Sequence, residues 1–235
     1  MERNAYREFF TAEYLMGPNS MCILDELLDK YPLLQRDAAA ILDLGCGKGL
    51  TTLRLAHRTQ AKITAADLWI AAEENEDSFA KWGVSERITA IQADANALPF
   101  ASKSFDALVS VDSYHYFATD PEFFIKKMLP LLKDGASVRI GIPGTKEAFA
   151  DRSEELLSPW LKDETYMFKS PAQWKAIIGK NERIARVETW EMGCFELAWQ
   201  DWFDTGHEYA IADKAVYDGI IRPYTCFVGI AIEVK

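Results

Sequence analysis

The chain has 235 residues, 49% of them hydrophobic, and a formal net charge of −10. That length and apolar content suffice for one sizeable core and argue against extended disorder. The negative charge, with no Lys/Arg run to offset it, argues against a nucleic-acid partner, and no window approaches the ~18 unbroken apolar residues of a membrane span.

In chain order, residues 3 to 30 predict two helices broken at Gly17-Pro18. The first carries Tyr6, Phe9, Phe10 and Tyr14; the second has an apolar face of Ile23, Leu24, Leu27 and Leu28. The first helix either packs on the domain edge or forms a lid over a site. Next comes AILDLGCGKGLTTL, Ala40 to Leu53. Ile41, Leu42 and Leu44 read as a buried strand, Gly45, Gly47 and Gly49 as a tight turn, and Leu50 onward as a helix. Such a turn lets a ligand lie on the backbone and delivers it to the unpaired N–H groups of a helix start. Lys62 to Ala66 predicts a second strand ending at Asp67, followed by a helix from about Ala71 to Trp82 with Gly83 as its stop. Ile88 to Gln92 is the third strand, ending in Ala93-Asp94-Ala95. Phe105 to Val111 is the fourth, ending at Asp112. Pro121 to Leu132 predicts a helix, Lys133-Asp134-Gly135 a turn, and Ala136 to Ile142 the fifth strand. The alternation argues for right-handed βαβ units and a parallel sheet covered on both faces.

Beyond Gly144 the period is lost until Ser170-Pro171, which starts a helix to about Gly179. Ile184 to Met192 predicts a strand, residues 195 to 222 one or two helices, and Thr225 to Val234 a last alternating strand. Without a repeat or linker, one domain over 1–235 is expected: a helical cap at 1–37, a core at 38–143, and later insertions with closing strands at 144–235. MERNAYREFF lacks the apolar stretch of a secretory signal. Cys22, Cys46, Cys194 and Cys226 have no metal-type spacing and read as reduced thiols of a cytoplasmic protein without a metal.

The glycine turn is G-x-G-x-G. A dinucleotide turn wants its third glycine at the sixth position, where Leu50 stands. Three acids, Asp43, Asp67 and Asp94, end three successive strands beside it. Asp67 is placed to accept from a ribose diol and Asp94 from an adenine amine, with Leu68, Trp69 and Ala95 flanking the base. Each acid alone also reads as a helix cap.

Taken together, ILDLGCGKG, ITAADLW, IQADANALPFASKSFDALVS and LLKDGASVRIGIPG resemble the class I S-adenosylmethionine-dependent methyltransferases over roughly residues 38 to 143. The resemblance implies a Rossmann-like α/β fold: a seven-stranded, mostly parallel sheet with helices on both faces and an antiparallel last strand. It implies S-adenosyl-L-methionine as donor and S-adenosyl-L-homocysteine as product. The Asp43–Gly49 segment, with Gly45, Cys46 and Gly47, would hold the methionine portion. Asp67 would take the ribose, Asp94 and Ala95 the adenine, and Val111-Asp112 would face the sulfonium and amino group. The N-terminal segment and the late insertions, the most variable parts of that family, would carry a small-molecule acceptor.

Methyl transfer is an in-line displacement in which positioning is the main task; a base near working pH helps an acceptor that carries a proton. His115, within SVDSYHYF past the fourth strand, is the candidate base, against a structural role in a short helix. Trp160, Trp174, Trp190, Trp199 and Trp202 read as ordinary core or as an aromatic wall for a flat or cationic acceptor. Nearby Glu191, Glu196, Asp201, Asp204 and Glu208 suit an amine or form a solvated face. Two alternatives keep the same turn: a cofactor-binding protein without catalysis, and a nicotinamide-dependent oxidoreductase, which Leu50 and Asp94 disfavour.

Overall fold

The computed structural model describes residues 3–33 and 39–235. Seven strands form one sheet: β1 (Ala40–Leu44), β2 (Lys62–Asp67), β3 (Ile88–Gln92), β4 (Phe105–Val111), β5 (Leu132–Thr145), β6 (Ile184–Glu191) and β7 (Thr225–Val234). Their order is β3-β2-β1-β4-β5-β7-β6. The first five run parallel, and β7 inserts antiparallel to both β5 and β6. This is the Rossmann-like sheet expected from the sequence. The strand order reverses between β1 and β4, so a crevice opens beyond their C-terminal ends, where such sheets bind ligands.

Alternation along the central strands sorts residues to the two faces. Ile41, Val109 and Val111 enter a core with α1 (Ser20–Lys30) and α2 (Leu50–Arg58). Leu42, Leu44 and Leu108 enter another with Tyr114, Phe124 and Trp174. Asp43 therefore points to the α2 side, and that parity fixes its role below. α3 (Ala72–Lys81) follows β2 and places Phe79 against Cys46, Ala65 and Ala90.

Two predicted helices differ. Residues 3–14 form a 3-10 segment, Arg3–Phe9, followed by turns closed on Thr11. Tyr6 bonds His57 and Arg54, while Phe9 and Tyr14 stack edge-on against Trp82, contacts that pull the aromatics to different partners. Pro121–Leu132 forms a π-turn, Phe124–Met128, and a 3-10 turn, Leu129–Leu131. Pro130 has no N–H for the regular ladder, which explains the break. Leu132 already pairs with Phe105, so β5 starts earlier than predicted, with an irregular register before Ser137. The late region contains α4 (Ser153–Leu161), α5 (Pro171–Ile178), α6 (Phe195–Asp204) and α7 (Glu208–Val216). Helix α5 starts on a full Ser170/Gln173 capping box. Residues 34–37 of the expected cap lie outside the described residues, as does Ala38 at the core's edge.

Candidate functional site

The site grows from the turn between β1 and α2. Gly45 has φ 72° and Gly47 φ 53°, both left-handed. A Cβ on Gly45 would lie 2.2 Å from Ser113 Oγ, so this position is closed to any larger residue. A Cβ on Gly47 would lie 3.2 Å from the Met16 sulfur, a tight contact with the end of a flexible side chain, so Met16 covers this part of the turn. The turn is locked from both sides. Gly45 and Cys46 donate N–H bonds to Ala66 O, and Ser110 and Ser113 donate hydroxyl bonds to Leu44 O. Asn75 of α3, invisible to the motif reading, donates to Gly47 O at 3.0 Å. Gly49 starts α2 without a side-chain cap, which leaves the helix N-terminus for a ligand's anionic group.

Asp43 lies beneath this turn and is fully buried. Its Oδ2 accepts from Thr51 Oγ1 at 2.7 Å and Thr52 Oγ1 at 2.6 Å, and its Oδ1 has no partner. Burial raises its carboxyl to about 6; the two threonine bonds oppose the rise, and the charge of Asp67 adds to it. Asp67 is differently held. Oδ2 accepts from Gly47 N at 2.8 Å, and Oδ1 from Trp69 N at 2.8 Å and Ile70 N at 3.0 Å. One carboxylate thus ties the β2 end to the glycine turn and keeps an edge on the cleft.

That cleft is walled by Gly45, Cys46, Gly47, Asp67, Trp69, Val111 and Asp112 among the sequence-chosen residues. It also takes Ser113, Tyr116, Thr51 and, from the N-terminal strap, Tyr14 to Pro18. The strap is tied back by Asn19, whose side chain donates to Asp201 Oδ2 at 2.7 Å, and by Lys48 Nζ, which donates to Glu13 O. The N-terminal residues therefore lie over the glycine turn as well as against α2 and α3. The negative charge of Asp213 on α7 acts on Asp112 and adds to the rise of its carboxyl.

Five chosen residues lie off this wall. Asp43 acts from below. Leu68 is exposed, and Ala95 is buried. Asp94 is exposed and caps the 3-10 turn Ala95–Ala97, accepting from Asn96 N and Nδ2; those bonds hold its carboxyl below the usual range. His115 is 2% exposed, its Nδ1 has no partner, and burial pushes its imidazole down to about 3. A buried imidazole held neutral and off the cleft wall is poorly placed to take an acceptor's proton in this conformation. Asp112 is better placed: it lines the cleft, and burial first, then Asp213's charge, raises its carboxyl to about 7. Four of the five acids singled out in the late region prove to be engaged elsewhere. Asp201 holds Asn19, Glu196 pairs with Arg222, Glu191 accepts from Glu147 N, and Asp204 accepts from Gln200.

Residues 41–135 match the family model of a methyltransferase domain. The 27-O-demethylrifamycin SV methyltransferase of Amycolatopsis mediterranei is 28% identical over 141 residues, 57% of this chain and 51% of that protein. The release factor glutamine methyltransferase of Chlorobaculum tepidum is 34% identical over 120 residues, 46% of this chain and 40% of that one. The chain thus spans about half the length, or less, of these curated relatives. A solved geranyl diphosphate C-methyltransferase from Streptomyces coelicolor, bound to S-adenosyl-L-homocysteine, superposes with TM-score 0.72 at 15% identity, covering 89% of this chain and 77% of its own.

Proposed function

We propose that the chain, whose residues 41–135 match the model of a methyltransferase domain, is a class I S-adenosylmethionine-dependent methyltransferase that binds S-adenosyl-L-methionine and transfers its methyl group to a small molecule. The observation that carries this reading is the cleft that joins a left-handed glycine turn, an uncapped helix start and two carboxylates, Asp67 and Asp112. The donor set fits the cofactor. The first turn of α2 takes the methionyl carboxylate, and the edge of Asp67 takes the ribose hydroxyls. Asp43, below the turn, supplies negative charge toward the amino group without touching solvent. Trp69 flanks the base, with Leu68, Asp94 and Ala95 on the outer side. When bound, the cofactor supplies an electrophilic methyl on a cationic sulfur.

The chain's own task is then to position and to exclude water. Met16 and Tyr14 of the strap cover the turn, and Trp69 meets Tyr116 edge-on across the mouth, ring centroids 5.5 Å apart. The acceptor enters between the strap and the late insertion. Net charge −10 and the carboxylates at that end favour a small molecule over a nucleic-acid strand. Among the described residues no helix is long and apolar enough to cross a membrane, and four free cysteines suit a reducing, cytoplasmic setting.

The test is a calorimetric titration with S-adenosyl-L-homocysteine and NADH in parallel, followed by a screen for labelled-methyl transfer over amines, phenols, quinones and carboxylates. Homocysteine-cofactor binding with transfer to one class is expected. Binding without transfer to any class indicates a non-catalytic binder, and tight NADH binding alone refutes the assignment.

A further inference from the structure

The strap is pinned at both ends and crosses the cleft between them. On its N-terminal side Tyr6 is buried, and its hydroxyl bonds His57 Nδ1 at 2.6 Å. On its C-terminal side Asn19 is fully buried, with its backbone on Ala198 O and its side chain on Asp201. Between Phe9 and Ser20 the backbone belongs to no helix or strand; it turns where Tyr14 and Leu15 donate to Thr11 O. The strap meets the site at two points. A Cβ on Gly47 would lie 3.2 Å from the Met16 sulfur, and a Cβ on Gly17 would lie 2.9 Å from Asp112 Oδ2. It therefore spans from the glycine turn to the end of β4, across the place proposed for the methionyl part of the cofactor. The cavity beneath it is about 110 Å³, against ~300–1,000 Å³ for sites that enclose a ligand of drug size. A cofactor reaches the turn only when the strap lifts.

We propose that the strap is a gate for the cofactor and that Lys48, from within the glycine turn, is its latch, a reading that rests on the methyltransferase assignment and adds how the donor enters and leaves. Lys48 stands between Gly47 and Gly49, and its Nζ donates to Glu13 O on the strap backbone. A second ammonium, Lys81 Nζ at the end of α3, donates to Tyr14 OH at 3.3 Å. Phe9 and Tyr14 meet Trp82 edge-on beside it, with ring centroids 5.4 and 5.6 Å apart. Both lysine bonds are exposed, so water competes for the same groups, and each can break and re-form without unfolding the domain. Leu15 is held differently: it is buried in the core shared with α1 and α2. Lifting the strap draws Leu15 out, which makes opening a discrete step between two states and not a gradual fraying. Met16 is exposed and unbranched, so its thioether can swing off Gly47 while Glu13 O stays on the latch. The strap can therefore re-seat over a bound donor. Because Lys48 belongs to the turn itself, latch and cofactor seat are one element.

Two measurements test the latch, one of them without cofactor. The first is amide hydrogen exchange on ligand-free protein. In Lys48→Met, residues 11–16 should exchange about fivefold faster than in wild type, the population shift expected from losing one bond of ordinary net strength, while β1 to β4 stay unchanged. Unchanged exchange in the strap overturns the proposal. Acceleration that spreads to the strands overturns it too, because Lys48 is then a general support of the fold. The second is stopped-flow tryptophan fluorescence with S-adenosyl-L-homocysteine. The wild-type association rate should level off as ligand rises, because opening limits entry. Lys48→Met should raise both that plateau and the dissociation rate, each by about threefold or more. Lys81→Met, on a residue off the cleft wall, should move both rates in the same direction and leave affinity within threefold. An association rate that stays linear across the whole titration overturns the gate. Faster dissociation with an unchanged plateau overturns the latch and makes Lys48 a direct cofactor contact. Failure of S-adenosyl-L-homocysteine to bind wild-type protein strikes at the methyltransferase reading, and the exchange measurement still decides the strap.

Discussion

Asp43→Asn separates a residue that builds the cofactor turn from one that merely fills space beneath it. In the folded chain the Asp43 carboxyl is raised from 3.8 to about 6, with burial as the main cause. The folded state therefore holds a proton that the unfolded chain has released. Stability from this group is complete below pH 3.8 and falls as pH rises to about 6. At ~1.4 kcal/mol per pH unit, the loss amounts to about 3 kcal/mol. Asparagine does not titrate. Its amide oxygen can accept both threonine hydroxyls, but its amino group then occupies the place of Oδ1, which has no partner. An unpartnered buried donor costs ~1–3 kcal/mol at every pH. The sign of the stability change at a single pH is thus a close balance, and its pH dependence is not. Urea unfolding of both proteins between pH 4 and 7.5, ligand-free, should show the variant gaining about 2.5 kcal/mol on the wild type across that window. A difference that stays flat with pH refutes the burial argument. In the same preparations the variant should bind S-adenosyl-L-homocysteine about tenfold more weakly at pH 7.5, because the amino group loses the charge below it.

Asp67→Ala removes a carboxylate that accepts three backbone N–H bonds and lines the cleft; on the proposed ribose role, affinity for S-adenosyl-L-homocysteine should fall by roughly 1.5–3 kcal/mol in calorimetry. Unchanged affinity would reduce Asp67 to a clamp on the turn. Gly45→Ala forces a Cβ against Ser113 Oγ in a left-handed backbone and should lower stability by about 2–4 kcal/mol, read by denaturant midpoint, with cofactor binding lost. Adding Ser113→Gly should recover only the steric part. His115→Phe fills the same buried volume without an orphan nitrogen; once an acceptor is in hand, turnover should stay within threefold of wild type. A tenfold fall in turnover at constant cofactor affinity would return the base role to His115.

The donor half was legible because backbone performs its work, and backbone demands particular residues. A turn that touches Ser113 at Gly45 tolerates only glycine, and a strand that must present a carboxylate at its end shows aspartate in register after an apolar run. Hence Asp67 and the Asp112 segment were found on the wall. The same pattern over-reads. Asp94 carries the same strand-end signature, and the structure uses it as the cap of the next turn. Periodicity also failed where tertiary contacts overrode it, as at Tyr6, Phe9 and Tyr14, and where Pro130 interrupted the ladder. His115 attracted attention by residue type and position in the chain, but neither carries information on depth. Its ring faces Phe168 of the late region, a neighbour no local pattern announces.

The acceptor half was opaque for a related reason. Its residues come from segments that meet only in three dimensions, and their chemistry depends on which groups are already engaged. The sequence marks five acids between Glu191 and Glu208 as suited to an amine. Folding ties Asp201 to Asn19, Glu196 to Arg222 and Asp204 to Gln200, while Glu191 accepts from the Glu147 backbone. Asp213, one turn into α7, is distinguished by its pair of indole donors. Those donors reside on α4 and α6, so Asp213 is in place only when three late helices have packed together. Asn19 links the same packing to the strap, since its backbone donates to Ala198 O and its side chain to Asp201. Strap, α6 and α7 are therefore mechanically continuous, whereas the glycine turn is fixed by β2, β4 and α3. Asn19→Ala should weaken S-adenosyl-L-homocysteine binding in calorimetry although Asn19 does not line the cleft, because Tyr14 to Pro18 lie over the glycine turn and hang on it.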